Sequence, residues 1–218
     1  AGPQLAEWMG ASAGGRPVAV VPMAADPAFT PLDKQVCRQR LGLPSNAHLV
    51  GYTGALHPNR GIELLFQIFE KLKTEHPRVE LVLSGRLARG ITLPLDIHWL
   101  GYRPAEDIPL VLNSLDLLFV INKPGPFGDF SYPAKLYEAL ACGVPVVASD
   151  VSGVAWILQN HSECLAMAGN TDDFVAKAKL ALYGSWVLTG QTAGWQYSAD
   201  ILESQLLTHE SKPTYSGH

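Results

Sequence analysis

Two cations and a carboxylate carry most of the chemistry that can be read from this 218-residue sequence. Lys135 and Glu138 lie three apart in the stretch SYPAKLYEALACGVPVVAS. That spacing sets them on one side of the first turns of a helix, facing the loop before it. A helix N-terminus with a lysine beside it favours phosphate, and a carboxylate one turn on accepts hydrogen bonds from sugar hydroxyls. The alternative is an ordinary solvated pair on a helix surface. Arg60 stands at the start of an earlier helix, after the turn HPN. A cation at that end is unfavourable unless an anion is bound beside it. Arg60 therefore reads as a phosphate ligand, with a solvated arginine as the alternative. Gly54 closes the strand before this turn, where a glycine lets a ligand approach the backbone; a plain tight turn would also use one. Gly85-Arg86 repeats the pattern more weakly after the following strand. His57 is a candidate substrate contact, weighed against polar surface.

Regular elements must hold these groups in place. Apolar runs predict strands over residues 49–54, 79–85, 97–101, 116–122, 144–148 and 164–168. Helices are expected over 33–41, from a cap at Asn59 to about residue 75, over 105–115, and from Pro133 to Gly143. Two more follow, over 172–182 with Thr171 as cap and over 196–207. Ile62, Leu65, Ile68, Phe69 and Leu72 form one apolar face. In the central helix Ser131 or Tyr132 serves as cap, Leu136, Ala139 and Leu140 face inward, and Gly143 with Pro145 ends it. Residues 123–132 read as a long flexible loop. Strand and helix alternating at this spacing predict an α/β fold, a doubly wound, Rossmann-like parallel sheet of about six strands. With the order 3-2-1-4-5-6, loops 55–60 and 122–132 open onto one crevice beyond the carboxyl ends of strands one and four. Residues 1–16 read as a flexible segment and 17–47 as a linker with a short helix. The sheet domain occupies 48–184, a helical extension 185–208 and a tail 209–218.

Composition narrows the classes. The chain is 47% hydrophobic and 17% charged, with a formal net charge of −4. There is no basic block with interleaved aromatics, so nucleic acid is not an expected partner. No apolar run is long enough for a membrane span. The absence of a secretory signal and the start at Ala1 instead of Met suggest an excised or processed piece. Cys37, Cys142 and Cys164 are widely spaced, which suggests reduced structural thiols in an intracellular protein and no zinc site. Dinucleotide, NTPase phosphate-loop and hydrolase-elbow motifs are all absent.

These segments together resemble the C-terminal, nucleotide-sugar-binding domain of retaining GT-B glycosyltransferases, the large group 1 family. The resemblance spans about residues 17–208. It rests on VAVVPMAADPAFTP as interdomain linker, GYTGALHPNRGIELLFQIF, LVLSG, WLGYRPAEDIPLVLNSLDLLFVI and, most specifically, KLYEALACGVPVVAS. It implies a transferase that takes a sugar from a UDP- or GDP-sugar, with no cofactor or metal. It also implies an N-terminal acceptor-binding domain as partner. The expected location is cytoplasmic, with peripheral contact at the inner membrane face left open through that other half. The family's paired glutamates are separated by seven residues. Glu138 matches the second, the ribose ligand, whereas Phe130 holds the place of the first, near the donor sugar, with Asp129 adjacent. SYPAKLYE is similar to a subgroup in which the lysine helps hold the phosphates. Arg60 and Lys135 are thereby implied to stabilise the leaving diphosphate. Amides of Ser131 and Tyr132 are implied as further phosphate donors, and the base is placed near Gly85, Arg86 and the turn at Tyr102. A module that binds a nucleotide or nucleotide-sugar without catalysis is the alternative.

Overall fold

The computed structural model describes residues 2–12, 18–184 and 194–210. Six parallel strands form one sheet: β1 (His48–Thr53), β2 (Val79–Ser84), β3 (Ile97–Trp99), β4 (Leu117–Val120), β5 (Val146–Asp150) and β6 (Leu165–Met167). Their spatial order is β3-β2-β1-β4-β5-β6, as the sequence predicts. The order reverses between β1 and β4, which pair at Val50–Leu117 and Gly51–Leu118. Successive side chains of β1 feed opposite faces. Val50 and Tyr52 join Leu65, Phe119 and Phe174 in one core layer, and Leu49 joins Leu112, Leu118, Leu136 and Val146 in the other. A sheet covered on both faces needs such continuous apolar strands.

The helices are α1 (Pro3–Ser12), α2 (Lys34–Leu41), α3 (Ile62–Glu75), α4 (Ile108–Asn113), α5 (Pro126–Asp129), α6 (Ala134–Ala141), α7 (Ser152–Ile157), α8 (Thr171–Tyr183) and α9 (Trp195–Glu210). The expected apolar face of α3 is buried at all five positions. The central helix α6 ends as expected. Gly143 takes the left-handed conformation at φ 68°, and the amides of Gly143 and Val144 reach Leu140 O and Ala139 O at 3.0 and 2.9 Å. This double closure is the Schellman arrangement, and it turns the chain directly into β5.

The starts of helices depart from expectation. Asn59 does not cap α3. It lies inside a one-turn 3-10 helix, Pro58–Arg60, and Gly61 in left-handed conformation begins α3. Neither Ser131 nor Tyr132 caps α6; Pro133 occupies that position without a side-chain bond. Asn170, not Thr171, caps α8, accepting from Asp172 N and Asp173 N at 3.0 and 3.1 Å. Three helices were not expected: α7, α5 inside the segment read as a flexible loop, and α1 in the segment 1–16 read as flexible. The expected tail at 209–218 and part of the extension fall largely outside the described residues.

Candidate functional site

The segments leaving β1 and β2 run side by side before they part. Gly54 N donates to Ser84 O at 2.8 Å and Leu56 N to Arg86 O at 2.9 Å. The approach is closest at Gly85, where a Cβ would fall 1.8 Å from Gly54 O. This pairing holds the two glycine turns open along one side of the switch point. The other side is the segment after β4. Its Asn122 amide donates to the buried Ser149 Oγ on β5 at 2.9 Å. Ser131 N donates to Gly128 O at 3.0 Å, so that amide is engaged within its own turn. The hydroxyls of Tyr132 and Tyr137 meet at 2.5 Å, which ties the loop to α6.

Three adjoining cavities line this edge of the sheet. The middle one, about 290 Å³, includes Tyr52, Gly54, Arg60, Ser131, Tyr132 and Lys135 among its walls. On the β2 side a cavity of about 230 Å³ shares Gly54 and adds Gly85, Arg86 and Tyr102. Arg86 stacks over the Tyr102 ring at 4.7 Å from its centroid. Outward of the middle cavity lies a third, about 590 Å³, which shares Ala55 and Arg60 and adds His57, Asn59 and Lys123. The residues singled out in the sequence thus come together from four segments far apart in the chain. Two do not line these cavities. Phe130 packs against Trp8 of α1, ring centroids 6.2 Å apart. Glu138 lies one turn further along α6 than Lys135.

Lys135 is the electrostatic centre. It rises from α6, crosses the switch point and donates to Thr53 O on β1. Its ammonium lies over the Tyr52 ring, 4.1 Å from the centroid. A Cβ on Gly54 would come within 2.9 Å of that nitrogen. Glycine at the end of β1 therefore leaves room for the lysine as well as for a ligand. Burial, then the nearby Arg60 charge, push the Lys135 pKa down to about 8, and Glu138 opposes them. Burial raises the Glu138 carboxyl above its ordinary range, with Lys135 working the other way. Burial also pushes the Tyr52 phenol up to about 12, against the pull of Arg60. A partly desolvated site where two cations lie close together is arranged to take up an anion.

Sequence reasoning missed Tyr52, Asn59 and Lys123 as walls of the site. Lys123 had a readable signal, since it follows directly on β4 at the carboxyl edge. Among the described residues, no group of three or more His, Cys, Asp or Glu side chains is placed to hold a metal ion. None of the described helices is long and apolar enough to cross a membrane.

Comparison with known proteins agrees with this geometry. The family model for glycosyl transferases group 1 matches residues 33–185, more than half of the chain. A D-inositol 3-phosphate glycosyltransferase of Stackebrandtia nassauensis is 28% identical over 180 residues, covering 74% of this chain and 40% of the relative. The enzyme of that name from Corynebacterium jeikeium is 27% identical over 215 residues, covering 85% and 50%. The chain therefore spans about half the length of these relatives. Among solved structures, Anabaena HepE in complex with UDP and glucose superposes with TM-score 0.70 at 22% identity, over 96% of this chain and 61% of that one. The C-terminal domain of the group 1 glycosyl transferase LpcC of Francisella tularensis gives 0.58 at 16% identity, over 82% and 96%. At these identities the structural likeness shows the fold alone. With its strand order, its crevice at the switch point and the family match in agreement, the chain belongs to the glycosyl transferases group 1 family and has the Rossmann-like fold of the C-terminal half of a GT-B glycosyltransferase.

Proposed function

We propose that this chain is the donor-binding half of a retaining glycosyltransferase that moves a sugar from a UDP- or GDP-sugar to an acceptor held by a second domain. The observation that carries this reading is Lys135, a partly buried cation beside Arg60 at the switch point of the sheet, with its pKa lowered to about 8. A diphosphate bound there would neutralise both charges. Negative charge grows on the leaving diphosphate as the sugar departs, so the two cations act more strongly in the transition state than on the bound donor. In this reading Glu138 accepts from the ribose hydroxyls, and Gly85, Arg86 and Tyr102 border the base. Phe130 holds the place beside the donor sugar, and Ser131 and Tyr132 border the phosphates. Retention follows from same-face attack assisted by the leaving phosphate, and no cofactor or metal is required. The relatives' names make a phosphorylated polyol the first acceptor to test.

Calorimetric titration with UDP, GDP and their nucleosides tests the donor site. Arg60→Ala and Lys135→Ala should each weaken the diphosphates far more than the nucleosides. Equal losses for UDP and uridine would show that these residues act through the fold or the base. The packing of Phe130 on Trp8 favours a second reading, a binding module without catalysis, because the place of a carboxylate is filled by an aromatic contact. Mass-spectrometric detection of sugar transfer by the protein with both domains separates the two.

A further inference from the structure

The three cavities lie in a row, and a nucleotide-sugar has three parts. The middle cavity shares Gly54 and Ala55 with the one at Arg86 and Tyr102, and it shares Ala55 and Arg60 with the outer one. A diphosphate at Arg60 and Lys135, with its base toward Tyr102, therefore sends its sugar into the outer cavity. At about 590 Å³ that cavity falls within the range of about 300–1,000 Å³ usual for small-ligand pockets. His57, Asn59, Arg60 and Lys123 supply its side-chain polar groups, and none of its lining residues is acidic. The Asn59 backbone amide donates to His57 Nδ1 at 3.1 Å. Nδ1 is thereby engaged as an acceptor, and the ring proton sits on Nε2. Beyond Nδ1, the Asn59 side-chain oxygen is the only acceptor these four side chains possess, against an imidazole N–H, an amide, a guanidinium and an ammonium. Lys123 leans on Glu63 at 3.6 Å, with both side chains about half exposed at 52% and 51%. Exposed pairs of this kind contribute little, so an anion inside the cavity competes readily for the lysine. Both walls are held in place. A Cβ on Gly61 would lie 2.6 Å from Ile121 Cγ2, and one on Gly128 would lie 1.7 Å from Lys123 O.

From this geometry we infer that the sugar of the donor is a hexuronic acid, whose carboxylate sits between Lys123 and His57 in the outer cavity. The inference rests on the donor-binding reading above and names the donor class within it. A neutral hexose presents hydroxyls that donate as well as accept, and this lining offers their protons few side-chain acceptors. A hexuronate carries a carboxylate in place of the terminal hydroxymethyl group. That carboxylate only accepts, and its bonds from an ammonium and an imidazole N–H are of the stronger, charge-assisted or ion-dipole kind. The neighbouring loop adds no opposing charge to the lining. Gly128 is a wall of the cavity, Asp129 is not, and Phe130 is an aromatic packed on Trp8. The acceptor stays with the second domain.

The test is calorimetric titration of the 218-residue chain with UDP, UDP-glucose and UDP-glucuronic acid. If GDP binds better than UDP, GDP-mannose and GDP-mannuronic acid form the matching pair. The uronate should bind tighter than its neutral counterpart by about tenfold or more, the scale of a hydrogen bond to a charged group. The double variant Lys123→Gln/His57→Gln should bring the two sugars of a pair to nearly equal affinity. Lys123→Arg, which keeps the charge, should retain the preference for the uronate. Equal binding of the neutral and uronate donors by the wild-type chain would overturn the inference. So would a uronate preference that survives in the double variant, since it would then come from the field of Arg60 and Lys135 alone. A parallel loss of both donors in the double variant would likewise refute it, by assigning Lys123 and His57 to the diphosphate or the fold. If neither UDP nor GDP binds, the donor reading fails and this inference falls with it. If a nucleoside diphosphate binds and the uronate preference is absent, the donor reading stands and only this inference fails.

Discussion

In the donor-binding reading, Lys135 serves function at a cost to stability. Its pKa in the folded chain is lowered from 10.5 to about 8, chiefly by burial and next by Arg60. Between those two pH values the unfolded chain holds a proton at Lys135 that the folded chain has released. Stability therefore rises with pH across that window, and below it the buried ammonium is a burden. Lys135→Met should raise the thermal midpoint at pH 7 and flatten that rise. The same change should weaken diphosphate binding by about tenfold or more, in keeping with about 1.5–3 kcal/mol for hydrogen bonds to charged groups. Wild-type diphosphate affinity should fall as pH rises through about 8, where the ammonium discharges. Thermal melts and calorimetry from pH 7 to 10 read both effects. A destabilised Lys135→Met would mean that the lysine serves to tie α6 to Thr53 O. Glu138 is tested by the sugar of the nucleotide. A carboxylate can accept from both ribose hydroxyls, whereas an amide has one acceptor oxygen and two donors. Glu138→Gln should weaken ribonucleotides, and a 2′-deoxynucleotide should bind wild type and variant nearly alike. An equal loss for both ligands would remove the ribose contact.

At the scale of elements, the strands were legible and the helix starts were not, for a physical reason. A buried parallel strand announces itself as an apolar run ended by glycine, as at Gly54 and Gly85. A helix start depends on which of several capping groups the tertiary turn admits. Asn59 lost α3 to Gly61 because the chain makes a 3-10 turn first, and no residue type betrays that turn. α7 escaped notice because its six residues lack a side-chain cap and are held by their surroundings. Within the site, Arg60 and Lys135 could be read from their places at loop–helix junctions. The third cavity was legible only as two loops, 55–60 and 122–132, opening onto one crevice; that His57 and Lys123 line it together depends on where their side chains are placed. The least legible feature lies at the opposite, amino-terminal edge of the sheet. There Arg38 of α2, 3% exposed, reaches Asp116 at 2.6 Å and donates to Ser114 O, Ser45 O and Ala47 O at 2.9, 3.1 and 3.1 Å. Asp116 also accepts from Lys34 and from the Leu49 amide, at 2.7 and 2.8 Å. Nothing local reveals a pair 78 residues apart. Burial alone would raise the Asp116 pKa, but the Lys34 and Leu49 hydrogen bonds and the two cations outweigh it and hold the carboxyl below 3.8. The stability this adds is present above that value and is lost as pH falls through the folded pKa. Asp116→Ala should cost about 3 kcal/mol, near the lower end for breaking a buried pair. It should also remove part of the acid-induced loss, both seen in urea melts at pH 7 and pH 3. An unchanged urea midpoint in the variant would show the cluster to be dispensable.

At the scale of the whole molecule, the crevice has one wall here, while the relatives carry about twice the chain. The donor groups proposed above lie in this chain, so by that reading it should bind UDP by itself. Transfer also needs an acceptor held in line, which accounts for much of a bimolecular barrier. The isolated chain should therefore bind UDP without measurable sugar transfer, and robust turnover by the 218 residues would refute the two-domain reading. The surface of α9 points the same way. Trp195, Leu202 and Leu206, at i, i+7 and i+11, form one stripe and are 49%, 50% and 60% exposed. On the neighbouring face, Ser198 Oγ donates to Pro22 O at 2.7 Å and fastens the helix to the segment before α2. A fastened helix cannot turn its apolar stripe inward, so the isolated chain should associate through it. Sedimentation velocity should show a concentration-dependent increase in mass, reversed by Leu202→Glu/Leu206→Glu with UDP affinity unchanged. If the wild-type chain stays monomeric at high concentration, the stripe is ordinary surface and α9 supplies no argument for a second domain.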